Sequence, residues 1–300
     1  MKAFLQGKEV IQYLAEIYYQ LYVAPGMEGA EEMYKAIVKR GESAYAKELT
    51  HFTLSDQDKI EVANTPAGEV KVVTLHERHD FEIFLQIMAN RCAVQEIPAT
   101  QGASIIDGII NWRRIEAHRD EFIKKELEKG VDEPDWSAEF SRFTADKSNY
   151  LDAIIVLSVG PYSGIIAAKV DMSDDEWLGY SDTIRKYHEC THFICRRLYR
   201  EKIDPIWDEI VADAVGIFAA FGRYDAKMAE LFLGIDENDY RGGRLENYVD
   251  VDKSDTALWE NEMEKVSKQV HGTIMQFSEM IEKSKLSDPF EIAIMLEESK

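Results

Sequence analysis

Apolar residues recur along this chain mostly with a helical period, broken by a few extended runs. In residues 8–24, Val10, Ile11, Leu14, Ile17, Tyr18 and Leu21 fall on one helical face, and Pro25-Gly26 closes it. A second helix is expected over 28–46. The β-branched run Val70-Lys71-Val72-Val73-Thr74-Leu75 reads as a strand, followed by a helix capped at Asp80 and reaching about Asn90. Small residues at 97–103 form a loop into an apolar segment that ends at Asn111-Trp112. The charged stretch 112–143 is helical to Lys129 and then loops through Gly130-Val131-Asp132-Glu133-Pro134, the expected place for an insertion or flexible surface. Asp152-Ala153-Ile154-Ile155-Val156-Leu157-Ser158 is a buried strand. After a break at Gly160-Pro161-Tyr162-Ser163-Gly164 the chain extends again over 165–170.

The second half is more helical. Ser173 and Glu176 make a capping box that opens a helix, with a pause expected at Gly179 before the next helical run at 187–199. A turn over 200–204 leads to another helix, for which Asp204 is the N-cap and Pro205 the first residue. A helix over 225–233, a polar loop over 236–243 and a helical turn at Arg244-Leu245-Glu246-Asn247-Tyr248 follow. A long amphipathic helix over about 255–283 comes next, then a short one opened by Asp288-Pro289. The pattern predicts an α+β, mostly helical fold with a small sheet before the helix at 187–199 and a helical C-terminal part. Residues 1–150 make an N-terminal α/β region and 151–300 a second region, as two domains or as one.

Chemistry concentrates at His188-Glu189-Cys190-Thr191-His192. Positions i and i+4 share a helix face, so both imidazoles can bind one metal with the glutamate beside it. Glu209, seventeen residues beyond His192, is placed to be the third ligand. If the two helices run antiparallel, His192 lies about 10 Å before the end of the first and Glu209 about 6 Å past the start of the second, at the same height. Asp213 lies one turn further on, where it can accept a hydrogen bond from the other ring nitrogen of His188. The competing description is an acidic helix pair with two surface histidines.

At these residues the chain resembles the thermolysin-like zinc metallopeptidases, the gluzincins. There an H-E-x-x-H helix is followed by a helix bearing an acidic or amide residue, the glutamate ligand, three residues and an aspartate. Within residues 180–221 those positions are Asp208, Glu209 and Asp213. The resemblance implies one zinc ion held by His188, His192 and Glu209, with Glu189 as general base and Asp213 behind His188. It also implies a sheet ahead of the motif helix whose edge strand binds substrate backbone; the strand at 152–158 is the candidate counterpart, with a purely structural strand as the alternative.

Composition narrows the partners. The formal net charge of -21, from 56 acidic and 35 basic residues, repels phosphate backbones and anionic membranes, so neither nucleic acid nor lipid is an expected partner. Ordinary solubility explains the charge. Three cysteines, Cys92, Cys190 and Cys195, cannot build a disulfide framework and fit a reducing compartment. Cys190 points off the His188/His192 face and reads as a small buried residue. The first nine residues lack the apolar core of a signal peptide, and no run is long enough to span a bilayer, so a cytoplasmic protein is expected. The pair His76 and His79 sits at a strand-to-helix corner without a shared face, and reads as hydrogen-bonding or surface.

Three protein ligands leave zinc an open position for water, whose pKa the ion lowers toward about 7. The reading is a zinc-dependent hydrolase, a metallopeptidase acting on a peptide or small amide. One alternative is an amidase or deacylase using the same centre on a non-peptide substrate. The other is a regulatory or binding protein whose zinc site is structural or vestigial. An oxyanion donor is also required. Tyr240, Arg244, Tyr248 and His271 are the candidates, and Tyr248 is preferred because a helical turn separates it from the Gly242-Gly243 hinge. The oligomeric state is open.

Overall fold

The longest β-branched runs of the chain lie side by side at the middle of a five-stranded mixed sheet. Its strands are β1 (Lys2–Gln6), β2 (Lys59–Thr65), β3 (Gly68–Leu75), β4 (Ala103–Ile110) and β5 (Leu151–Ser158), in the order β1-β2-β3-β5-β4. The computed structural model describes residues 2–43, 47–199, 204–237 and 239–300. β3 and β5 pair in parallel, from Lys71 opposite Ile154 to Leu75 opposite Ser158, and their continuous apolar runs are buried as expected of strands covered on both faces. β5 therefore has strands on both sides and no free edge, which removes it as the expected substrate-binding edge strand. The structural alternative is the correct one.

The chain packs into two units. The first takes Met1–Val62, Lys71–Pro98 and Ser104–Ser158; the second takes Ala63–Val70, Ala99–Ala103 and Val159–Lys300. In the first, the helical face expected over 8–24 is split into α1 (Glu9–Ala15) and a 3₁₀ turn at Tyr19–Tyr22. The break falls at Tyr18, whose hydroxyl donates to Asp152 at 2.6 Å, so a distant partner overrides local periodicity. The next helix, α2 (Ala30–Arg40), stops at Gly41, and the end expected at residues 44–46 lies outside the described residues.

The following helix, α3 (Arg78–Met88), starts before Asp80. The Asp80 carboxylate instead accepts from Thr53 N at 2.7 Å and Leu54 N at 2.9 Å, tying a neighbouring loop to the helix. His79 Nε2 meets the His51 carbonyl at 3.2 Å, and His76 uses its backbone N–H on Asp58. Beyond β4 comes α4 (Trp112–Glu128), capped by Asn111, and the stretch expected to be an insertion carries α5 (Trp136–Thr144), capped by Asp135.

The second unit is built on α6 (Asp174–Leu198) and α7 (Pro205–Phe221). The Ser173/Glu176 capping box opens α6, which runs unbroken through Gly179; a single glycine costs a helix only about 1 kcal/mol, too little to interrupt one this long. Asp204 accepts from Ile206 N and Trp207 N to start α7, while residues 200–203 of the expected turn lie outside the described residues. Gly216 sets how close the helices come, because a β-carbon there would stand 2.8 Å from the Ile184 carbonyl oxygen. α8 (Ala226–Leu233), a two-residue hairpin of β6 (Ile235–Asp236) and β7 (Asp239–Tyr240), α9 (Thr256–Ser284) and α10 (Pro289–Glu298) complete the unit.

Its core includes Ile184, Ile210, Val211, Val215, Ile274 and Phe277, all buried. Residues 165–170, expected to be extended, form a 3₁₀ turn at Ala167–Lys169, and the Ile165 carbonyl is taken by the Trp177 indole at 2.6 Å. The fold is α+β and mostly helical, with the sheet ahead of the motif helix and a helical C-terminal part. Among the described residues no helix is long and apolar enough to cross a membrane.

Candidate metal centre

Ile184, His188 and His192 rise along one face of α6, while their neighbours Gly216, Asp213 and Asp208 descend along α7, so the helices are antiparallel. Both histidines are buried, at 5% and 6% exposure, which excludes a surface pair. Their rings stand at 89°, with the two Nε2 atoms 2.9 Å apart. Glu209 faces both, Oε1 at 3.3 Å from His192 Nε2 and Oε2 at 3.6 Å from His188 Nε2. Ligand atoms of the three residues lie within 4.8 Å of one another.

Each ring is held from behind. His188 Nδ1 is 3.0 Å from Asp213 Oδ1 and 2.8 Å from the Tyr162 hydroxyl; His192 Nδ1 is 2.7 Å from Asp208 Oδ2. Carboxylates at both Nδ1 atoms favour the tautomer with hydrogen there, which turns both Nε2 lone pairs inward. Two imidazole Nε2 atoms and a carboxylate then converge in a buried space, which favours positive charge there: a metal ion, or the proton that His192 takes up without one. Glu209 Oε2 is buried without a hydrogen-bond partner, as an oxygen reserved for an ion would be. The donor set of two imidazoles and one carboxylate is one that zinc takes.

The charges around it are balanced by Arg244. Its guanidinium pairs with Asp213, donates to the Tyr162 hydroxyl at 2.9 Å and reaches Glu209 Oε2 at 3.6 Å. Burial alone would push Asp213 and Glu209 up, but Arg244 and His188 hold Asp213 below the usual carboxylate range, and His192, His188 and Arg244 do the same for Glu209. Burial would pull His192 down, yet Asp208 and Glu209 outweigh it and hold the imidazolium well above its ordinary value. Tyr162 is fully buried, and desolvation pushes its phenol well up. Arg244 reaches this place because Gly234 and Gly243 touch backbone to backbone; a β-carbon on Gly243 would lie 2.7 Å from Gly234 Cα.

Glu189 stands between the two histidines in the sequence, half-buried, one turn beyond the buried Arg185, whose charge its carboxylate favours. Cys190 is buried, as read from its phase. Of the four oxyanion candidates, Arg244 and Tyr248 are at the centre; burial and then the neighbouring Glu209 carboxylate push the Tyr248 phenol up. Tyr240 is engaged with Gly243 and Glu246, and His271 Nδ1 lies 2.5 Å from Glu230.

Sequence reasoning gave no role to Tyr162, did not pair Asp208 with His192, and saw Arg244 only as an oxyanion donor. For Asp208 a signal existed. It sits one residue before Glu209 and five before Asp213 on the same helix, so one carboxylate can serve each histidine.

Fold and centre together define an α+β protein with two imidazoles and a carboxylate that could hold a metal ion, carried on two antiparallel helices. The chain belongs to a family of unknown function (DUF7005), whose profile matches residues 3–297. No curated protein and no solved structure matches it.

Proposed function

We propose that this protein is a cytoplasmic zinc-dependent hydrolase of gluzincin type, a metallopeptidase that cleaves peptide bonds. The observation that carries the reading is the inward convergence of His188 Nε2, His192 Nε2 and Glu209, with a carboxylate behind each ring. Three buried cysteines that form no disulfide among the described residues support the reducing compartment. When bound, zinc supplies a Lewis acid that polarises a carbonyl and makes water acidic near neutral pH.

The protein's own groups do the rest. Asp213 and Asp208 keep the imidazoles in the ligating tautomer. Glu189 accepts a proton at its carboxylate from the attacking water and returns it to the departing amine. Tyr248, a phenol protonated at neutral pH and held further from ionisation by burial and the neighbouring Glu209, donates its O–H to the developing oxyanion. Arg244 neutralises Asp213 and part of Glu209, so the ligand set does not become too anionic to hold its shape.

Elemental analysis tests the centre. His192→Ala should carry about one zinc fewer per chain than the wild type, since a three-ligand site does not survive loss of one ligand. Full retention of zinc by that variant rejects the ligand assignment.

A further inference from the structure

One turn past His192 on α6 lies a second convergence of ligating groups. Cys195 from α6, Asp208 from α7 and Glu297 from α10 each present a ligand atom within 4.8 Å of the other two. All three residues are in the interior, at 1%, 8% and 8% exposure. The cluster uses none of His188, His192 and Glu209.

Asp208 carries the second observation. Its Oδ2 is committed to His192 Nδ1 at 2.7 Å, but its Oδ1 is buried with no hydrogen-bond partner. Leaving a carboxylate oxygen dry and unpaired costs more than a normal hydrogen bond contributes. Such an orphan beside a thiol and a second carboxylate is the arrangement expected where a ligand atom is held ready.

We propose that Cys195, Asp208 and Glu297 form a second metal site, one that takes a borderline-soft divalent cation of the zinc class. A thiolate ligand selects against magnesium and calcium, which prefer all-oxygen shells, and the two carboxylates add charge to hold a dication. Cys195 gives up its thiol proton as the sulfur–metal bond forms, so binding releases at least that proton to solvent. Once Cys195 is a thiolate, it and the two carboxylates are compatible with the interior when a cation lies among them. Asp208 links the two centres, holding His192 with one oxygen and the second ion with the other, and Glu297 ties α10 to the pair of helices that build the first site.

The test uses the full chain, stripped with chelator and titrated with Co²⁺ followed by absorption, because a cobalt–thiolate bond produces a near-ultraviolet charge-transfer band that histidine and carboxylate ligands do not. Wild type should take up about two equivalents and develop the band. Cys195→Ser should lose the band and keep the other equivalent. Glu297→Gln, a milder change near the chain's end, should weaken the band-forming equivalent by more than the roughly 10–100-fold typical of an outer-sphere partner. Glu209→Ala should lose one equivalent and retain the band, so failure of the first site and failure of the second read out separately. A wild-type protein with no band, or a band that persists in Cys195→Ser, overturns the proposal; in the first case protons hold the cluster together, and in the second another cysteine is the ligand.

Discussion

Each of the two units buries a polar cluster around a carboxylate, and the clusters differ in one respect. Around Asp152 in the first unit, every neighbour is a donor: the Tyr18 hydroxyl at 2.6 Å, Asn111 Nδ2 at 2.8 Å and the Arg114 guanidinium. Burial would raise this acid, and the three donors together hold it below its ordinary value. Around Glu209 in the second unit, two imidazole Nε2 atoms are turned toward one another beside the Arg244 guanidinium, and the Glu209 Oε2 atom is buried without a hydrogen bond. A closed set of donors and acceptors is a structural device, complete without a ligand. An open set of acceptors has a gap with the charge and shape of a cation. Burial and acidity alone do not separate the two; the buried Glu209 oxygen without a hydrogen bond does.

The comparison can be broken by experiment. The largest effect should fall on Glu189, which belongs to the open cluster but not to its ligands. Glu189→Gln should cut peptide hydrolysis by about 10²–10⁴-fold, with zinc content unchanged, in a steady-state assay paired with elemental analysis. Loss of the metal would recast Glu189 as a ligand, and unchanged turnover would reject it as the base.

Tyr248→Phe comes next, with an expected loss of roughly 10²-fold in turnover at full zinc content, the usual cost of one oxyanion donor. His271→Ala, whose ring is occupied by Glu230, should leave turnover as it was. Side-by-side kinetics in which the histidine mattered and the phenol did not would reverse the assignment.

Asp213→Asn keeps the shape behind His188 and removes its charge. Zinc affinity, followed by competition with a graded chelator, should fall about 10–100-fold. Wild-type affinity would mean that Tyr162 alone is enough to orient the ring.

The smallest effect sharpens the contrast from the other side. Asp152→Asn should destabilise the fold by about 2 kcal/mol, as for hydrogen bonds to a charged group, with no change in zinc content. Because the folded Asp152 has a depressed pKa, its contribution is fully present above the unfolded value of about 3.9 and disappears as pH falls through the folded value. Denaturant unfolding between neutral pH and about pH 3 should therefore fall more steeply for wild type than for the variant. A variant that lost zinc as readily as stability would erase the distinction between the clusters.

Local signals account for the elements that matter most to the centre. Ser173 with Glu176, Asp204 with Pro205 and Asp288 with Pro289 each satisfy helix-end N–H groups from within a few residues, and α6, α7 and α10 start where those caps stand. The phase of His188 with His192, and of Glu209 with Asp213, follows from 3.6 residues per turn and needs no knowledge of the rest of the fold. Elements without such signals were not legible. β4 is interrupted by Asp107-Gly108, with Gly108 at φ 77°, and β2 buries Glu61 beside Lys59, so neither shows clean alternation. α5 hides its aromatic residues Trp136, Phe140 and Phe143 among charged and polar neighbours.

What no local rule could supply is the set of groups that face the ligands. Tyr162 comes from the loop after β5, Arg244 from beyond a glycine contact and Glu297 from the last helix. Their meeting depends on how closely Gly216 lets α7 approach α6, on the contact of Gly234 with Gly243 and on where the Trp177 indole pins the chain at Ile165. Helix phase is a property of adjacent residues, whereas the partner of a buried charge is whichever distant group the packed core delivers to it, and only the packed chain determines that.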